Sequence, residues 1–403
     1  MGEAREKALL ARQAARYMAT LGSQDRNAAL HAMAQALRAQ CPRILQANAA
    51  DMEAARAAGI GEQMLDRLML DAARVEAMAT GLEEVAAQPD PVGRVLNGSR
   101  LPNGLLVEKV TVPMGVVAMV YEARPNVTSD AAGLCVKTGN ACVLRGGSTA
   151  VRSCLAIAEA LRDALESRGI PRDAVCVLET PGHAVVDELF GLVGLVDLLV
   201  PRGGAGLIRA CVENAKVPVI ETGTGNCHVY VERTADLQMA LDIVKNAKTQ
   251  RPSVCNACES ILVDEAVAEE FLPLLAGHLA QWGVLVHGDE RTVRACAALG
   301  LEAGAAYVEA TQDDWGREYL GLEVSVKVVS GVDEAVEHIN AYGTGHSEAI
   351  VTSSYAASEQ FLVQVGASSV YVNASTRFTD GGVFGLGAEI GISTQKLPAR
   401  GPM

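Results

Sequence analysis

The sequence predicts an α/β protein built on two parallel-sheet units, and three observations carry that expectation. From Val116 onward, short apolar β-rich runs take turns with helix-like stretches such as "STAVRSCLAIAEALRDALES". A second series of such runs begins near Ser260. Ahead of both, residues 1 to 88 are rich in Ala, Leu, Arg and Glu, with helical periodicity and almost no strand signal. Strands that are apolar along their whole length and separated by helices suit parallel sheets covered on both faces.

Taken in order, "MGEAREKALLARQAARYMAT" alternates charge with apolar residues and reads as an amphipathic helix, not a signal peptide. Ser23 precedes the next helical run, and Pro42 sits where a first-turn proline is tolerated. Gly22 and Gly59 interrupt any heptad, so the layer is expected to pack on a sheet and not to form a coiled coil. The texture changes at "AAQPDPVGRVLNGSRLPNGLLVEKVTVPMG". Asn97-Gly98 and Asn103-Gly104 read as turn dipeptides and "LLVEKVTV" has period two, which predicts a β-hairpin or β-arm. The first strand series is "VVAMVY", "ACVLRG", "AVCVLE", "LVDLLV" and "VPVIE". The second is "SILVD", "VLVHGD", "VSVKVVS", "EAIVTS" and "SSVYVNA", with the join between units expected near residues 222–232. Five glycines between 381 and 391 predict a glycine-rich loop followed by a final strand.

At 403 residues the chain can hold two or three domains with substantial cores. A hydrophobic content of 49% excludes disorder, and no apolar run approaches the roughly 20 residues of a membrane helix. A net charge of -14 argues against a nucleic-acid partner. Most of the ten cysteines sit alone in apolar or mixed runs, which suits free thiols in a reducing compartment. With no targeting address evident, the expected location is the cytoplasm.

Cys255 and Cys258, in "AKTQRPSVCNACES", admit four readings: a metal half-site, a redox pair, a nucleophile with a bystander, or two small core residues. A zinc site needs two further ligands, and His228 and His346 are lone candidates. A thioredoxin-type pair opens a helix, whereas this pair leads into a strand. A nucleophile needs donors for the developing oxyanion, and Asn126 and Glu221 are candidates to assist it. No phosphate-loop or dinucleotide fingerprint is present. The nearest feature is "VPRGGAGLIRA", whose helix-start amides could hold an anion; tight strand-to-helix turns use glycine equally.

"PMGVVAMVYEARPNVT", "ACVLRGG", "LLVPRGGAGL", "VIETGTGNCHVYV" and "TQRPSVCNACES" occur in the order expected of the aldehyde dehydrogenase superfamily, which the chain resembles over essentially its whole length. Cys255 follows Glu221 by 34 residues, the superfamily's separation of general base and nucleophile. More narrowly, "YEARPNVT", "RPSVCNA", "STRFTDGG" and "GLGAEIGISTQKL" look like the branch that reduces γ-glutamyl phosphate in proline biosynthesis. The chain departs from that pattern at Pro398, where histidine is expected, and stops at Met403, short of the usual tail.

The resemblance implies an aldehyde dehydrogenase-like fold with an NADP-binding domain over 1–91 and 114–227 and a catalytic domain over 228–375. An oligomerisation arm from 92–113 and 376–403 completes it, making the chain a homo-oligomer. It implies NADPH as cofactor, an acyl phosphate as small-molecule substrate, and functional coupling to glutamate 5-kinase. No metal, nucleic acid or membrane is implied. Cys255 would be the nucleophile, Asn126 an oxyanion donor, and Glu221 either an aid to Cys255 or structural. Arg145, Gly146, Gly147, Ser148, Arg202, Gly203, Gly204 and Glu323 would contact cofactor, with Arg145 receiving a 2′-phosphate and Glu323 the nicotinamide ribose. Arg124, Lys248, Arg251 and Arg377 are candidates for the substrate's phosphate and carboxylate. A rival reading keeps the fold and oxidises a small aldehyde, with Glu221 as hydrolytic base. Two others are a cofactor-free cysteine hydrolase or acyltransferase and a non-catalytic, partner-binding relative, against which the Asn126–Cys255 set argues.

Overall fold

The computed structural model describes residues 2–221, 223–396 and 400, so Pro398 and Met403 lie outside the described residues. The chain forms two compact units, Met1–Glu221 and Thr222–Met403.

The first unit opens with five helices, α1 (Glu3–Met18), α2 (Ser23–Ala39), α3 (Cys41–Ala57), α4 (Glu62–Leu68) and α5 (Ala72–Ala87). In α1 the alanines at 4, 8, 11 and 15 and Met18 fall on one buried stripe, the spacing an amphipathic helix needs. Pro42 lies in the first turn of α3, where its missing N–H costs nothing. Ser23 is the first residue of α2 and Gly22 its cap, so the start is right but the hydroxyl does not cap it. Asp71 does cap α5, accepting from the Arg74 amide.

Next come β1 (Val95–Arg100) and β2 (Leu106–Val110), an antiparallel hairpin with every residue exposed. Its turn lies at Gly104, where φ of +88° requires glycine. Asn97-Gly98 is no turn but follows a register shift within β1. The remaining elements are β3 (Val116–Tyr121), α6 (Asn126–Lys137), β4 (Ala141–Arg145), α7 (Val151–Ser167), β5 (Val175–Val177), α8 (Ala184–Phe190), β6 (Leu198–Arg202) and α9 (Ala205–Asn214). The four later strands form a parallel sheet in the order β5-β4-β3-β6. The run "VPVIE" does not become a strand and contributes one bridge, Leu199 to Val219. Pro218 has no N–H to extend the pairing.

The second unit contains β7 (Cys227–Val231), α10 (Leu237–Thr249), β8 (Cys258–Asp264), α11 (Glu265–Gln281), β9 (Leu285–Gly288), α12 (Glu290–Ala298) and β10 (Tyr307–Glu309). β11 (Glu323–Val329), α13 (Val332–Tyr342), β12 (Ser347–Val351), α14 (Tyr355–Gln364) and β13 (Ser369–Val372) follow. Its seven strands run parallel in the order β10-β9-β11-β8-β7-β12-β13. Asp236, Asp264, Asp289 and Ser354 cap the helices that leave these strands. The expected final strand is missing among the described residues. Residues 380–387 form a loop that folds back on itself, as the glycines there suggest, with the Phe384 amide bonded to the Asp380 carbonyl and Leu386 to Gly381. No helix among the described residues is long and apolar enough to cross a membrane.

Candidate active site

Cys255 lies in the turn between α10 and β8, half-buried, at the N-terminal edge of the second unit's sheet. Three contacts fix its backbone. The Cys227 thiol donates to the Cys255 carbonyl at 3.2 Å. The buried Gly225 packs so closely that an added Cβ would sit 1.4 Å from that same oxygen. The next residue, Asn256, donates to the Thr379 carbonyl at 2.9 Å, and its own carbonyl accepts from Thr376 at 2.7 Å. The 3-10 turn Thr376–Phe378 therefore clamps the cysteine loop from the far end of the sequence. Gly225, Cys227, Asn256 and Thr376 were not singled out from sequence; only the glycines of "ETGTGN" hinted at a close approach.

Cys258 begins β8, fully buried, with its thiol donating to the Ser260 carbonyl at 3.2 Å. Burial pushes that thiol up to about 12, so it stays protonated at neutral pH. Among the described residues no three His, Cys, Asp or Glu side chains gather as a metal site.

The cationic candidates separate. Arg377 donates to Asn256 Oδ1 and, at 3.1 Å, to Gln250, which places its guanidinium on the cysteine loop. Burial, and then the neighbouring Arg251, hold Arg377 below its usual value, while Asp380 and Cys255 pull the other way. Arg251 is exposed beside it. Lys248, a candidate for substrate binding, is placed in the interior of the second unit. Its ammonium is fully buried, 2.5 Å from an equally buried Glu259 carboxylate, and a charge so enclosed serves the core. An open cleft of about 720 Å³ runs between α10 and residues 373–383 and includes Arg377. Cys255 does not line it, so it is not read as the substrate site.

In the first unit, Asn126 is the first residue of α6 and is exposed, its amide donating to Asp130 at 3.1 Å. Arg124 is half-buried in the preceding loop. Glu221 ends this unit, half-buried, and so belongs to a different unit from Cys255. Arg145 closes β4, buried, and donates to the Gly146 carbonyl and, at 3.5 Å, to that of Gly182. Its Nε is buried without a partner, and burial holds the guanidinium below its usual value. A buried guanidinium with a spare donor fits an anion such as a cofactor phosphate. Gly146 and Gly147 are required by packing, since a Cβ on either would come within 2.9 Å of Cys154 or of the Ala123 amide. Ser148 is exposed at the turn that follows.

Arg202, Gly203 and Gly204 join β6 to α9, but the expected anion hole is modified there. Glu122 accepts the Gly204 amide at 2.9 Å, and a Cβ on Gly203 would strike its carboxylate carbon at 2.7 Å. The chain's own carboxylate thus occupies one of the turn's donors. In the second unit Glu323 opens β11 with its side chain 42% exposed.

A conserved-family model described as the aldehyde dehydrogenase family matches residues 3–297, and the chain belongs to that family, whose members use a nicotinamide cofactor. A gamma-glutamyl phosphate reductase of Moorella thermoacetica is 54% identical over 402 residues, 100% of this chain and 94% of that one. The enzyme of the same name from Heliobacterium modesticaldum is 54% identical, covering 98% and 92%. The crystal structure of gamma-glutamyl phosphate reductase from Thermotoga maritima superposes with a TM-score of 0.95 at 45% identity, covering 100% of this chain and 95% of that one.

Proposed function

We propose that this chain reduces γ-glutamyl phosphate to glutamate-5-semialdehyde and phosphate, the second step of proline biosynthesis, with NADPH as reductant. The observation that carries the reading is full-length identity of 54% to a gamma-glutamyl phosphate reductase. A thiolate on the Cys255 loop is the chemistry that reaction needs.

Cys255 as thiolate attacks the acyl carbon, the carbon–oxygen bond to phosphate breaks, and phosphate leaves with the electron pair, giving a thioester. Asn126 and the Cys255 amide donate to the oxyanion. When bound, the cofactor supplies the hydride that reduces the thioester. Collapse then expels Cys255 as thiolate, a good leaving group, and frees the aldehyde. Arg251 and Arg377 suit the substrate's anionic groups, with Arg124 a further candidate. Arg145 to Ser148, Arg202 to Gly204 and Glu323 would hold the cofactor, and Glu221 would assist Cys255 without activating water. An acyl phosphate is labile in water, so we place the chain in functional coupling with glutamate 5-kinase. Ten cysteines spread mostly singly through apolar or mixed runs support a reducing compartment, the cytoplasm. The test is the reverse reaction: glutamate-5-semialdehyde should reduce NADP only when phosphate is present. Reduction independent of phosphate would favour the aldehyde-oxidising rival.

The buried Arg145 supports preference for NADPH over NADH. Arg145→Glu is expected to raise the NADPH KM at least about tenfold, the order expected for one charged contact to a phosphate. Equal efficiency with both cofactors in the unmodified protein would refute the preference.

The hairpin supports a homo-oligomer. Val95, Leu96, Leu105, Leu106 and Val107 are each at least 47% exposed, and an isolated two-stranded hairpin is marginal in water. Sedimentation should show a dimer or larger, and deletion of 92–113 should give monomer or aggregate. A stable monomer of the intact chain at micromolar concentration would overturn this.

A further inference from the structure

The cysteine loop of the second unit is built on one β-turn. The Ala257 amide bonds to the Val254 carbonyl at 3.0 Å, which makes Cys255 and Asn256 the two central residues. The peptide between them takes no part in that bond and can stand in either of two orientations. These are turn types I and II, related by a flip of that peptide, and type II needs positive φ at the second central residue. Asparagine tolerates positive φ, so position 256 does not by itself forbid the flip. Outside glycine, positive φ among the described residues is confined to Leu320 and Asn373, so the turn keeps the unflipped form.

Cys227 supplies the group that selects it. β7 pairs with β8 through Cys227 and Cys258, which sets Cys227 alongside the turn. There it is 0% exposed, and its thiol donates at 3.2 Å to the Cys255 carbonyl, the oxygen of the central peptide. Burial, and then the nearby Glu348, push that thiol well above its ordinary value, so it remains a donor at neutral pH. The sulfur is itself backed by a buried network. His346 Nδ1 lies 3.8 Å from it and 2.8 Å from the Ser347 hydroxyl, which meets Thr379 Oγ1 at 2.6 Å. The Tyr371 hydroxyl reaches the same Thr379 oxygen at 2.8 Å. Burial draws His346 down to about 4, so the ring is neutral and brings no charge beneath the loop.

We propose that Cys227 is a positioning residue for the nucleophile: by binding the Cys255 carbonyl it fixes the central peptide of the turn with its oxygen toward the core. The inference rests on the reading of Cys255 as nucleophile. A trans peptide points its N–H opposite to its C=O, so the Asn256 amide is turned away from the buried Cys227. A flip would reverse that dipole and bring a carbonyl oxygen to the side the amide now faces. An amide N–H beside a thiolate favours it and a carbonyl oxygen opposes it, so the orientation sets how readily Cys255 ionises. The Arg377 guanidinium also acts on Cys255 and is present in every variant below.

The test compares Cys227→Ala, Cys227→Val and Cys227→Ser. Alkylation of Cys255 by iodoacetamide, located by mass spectrometry, would be timed across about pH 6–10, the range in which a thiol titrates. Thermal melts, kcat/KM and NADPH dissociation constants by fluorescence quenching complete the set. Cys227→Ala and Cys227→Val should move the alkylation profile to higher pH, slowing the reaction about tenfold at a fixed pH below the titration. Both should lower kcat/KM by at least about tenfold and leave NADPH affinity unchanged. Valine fills the space that alanine leaves, so a loss common to both reports the missing donor and not a cavity. Cys227→Ser keeps a donor at that position and should recover most of the loss in both readouts. A folded Cys227→Ala or Cys227→Val with the parent's alkylation profile and kcat/KM would overturn the inference. So would a folded Cys227→Ser as impaired as the alanine variant, since packing and not the hydrogen bond would then be responsible. Inactivating alkylation traced to another cysteine would instead remove the nucleophile reading itself.

Discussion

Cys255→Ser is expected to abolish acyl phosphate reduction, lowering kcat/KM by about 10⁴-fold or more, since a serine hydroxyl is the weaker nucleophile and alkoxide the poorer leaving group. The fold should be unaffected. The loop is held through its backbone, by the Cys227 thiol on the Cys255 carbonyl, by Gly225 against it, and by Asn256 on Thr379. Cys258→Ser is the control. Its thiol is buried in β8 and donates to Ser260, a bond a serine hydroxyl can keep, so most activity and most stability should survive. Iodoacetamide should inactivate by alkylating Cys255, with acyl phosphate protecting it. A Cys258→Ser protein as inactive as Cys255→Ser while still folded, or stoichiometric zinc in the parent, would replace the single nucleophile with a paired site.

Much of this was legible because the signals are local. "VVAMVY" and "SILVD" are apolar throughout and lie in strands buried along their length, since parallel strands are covered on both faces. The alternation of "LLVEKVTV" marked the hairpin, whose exposed side chains lie on neither sheet. Failures arose where a long-range partner decides. "VPVIE" has strand composition, but Pro218 limits it to a single bridge. β10 was missed because its three residues carry too little pattern to separate from a loop. Glu122 on the Gly204 amide, and Gly225 against Cys255, are contacts between segments that no spacing rule connects.

Lys248 is the sharpest such case, and it carries the largest expected effect on stability. In sequence it is a cation inside a matched motif; in the fold its ammonium is buried 2.5 Å from Glu259 Oε2, with both side chains 0% exposed. Removing one member of a buried pair strands the other, at a cost of about 3–5 kcal/mol, so Lys248→Met should lower the urea midpoint sharply. The loss should depend on pH. Burial pushes the Glu259 carboxyl up to about 7 from an ordinary 4.5, although Lys248 draws it down. Without Lys248 that downward pull is gone and the folded-state value rises further. A carboxyl whose folded pKa lies above its unfolded one binds protons preferentially in the folded state. Its contribution to stability is therefore complete below the unfolded value and lost as pH rises through the folded one. The Lys248→Met protein should accordingly lie nearest the parent at about pH 6 and furthest from it at about pH 9, as Glu259 is forced to ionise without a partner. Lys248→Met/Glu259→Leu should recover most of the stability, because no buried charge remains. Glu259 also accepts the Leu320 amide at 3.3 Å, so the double variant leaves that donor to be satisfied and recovery should stop short of complete. If Lys248→Met instead left the urea curve unchanged and raised the acyl phosphate KM, the lysine would be a substrate ligand and the burial argument would fail.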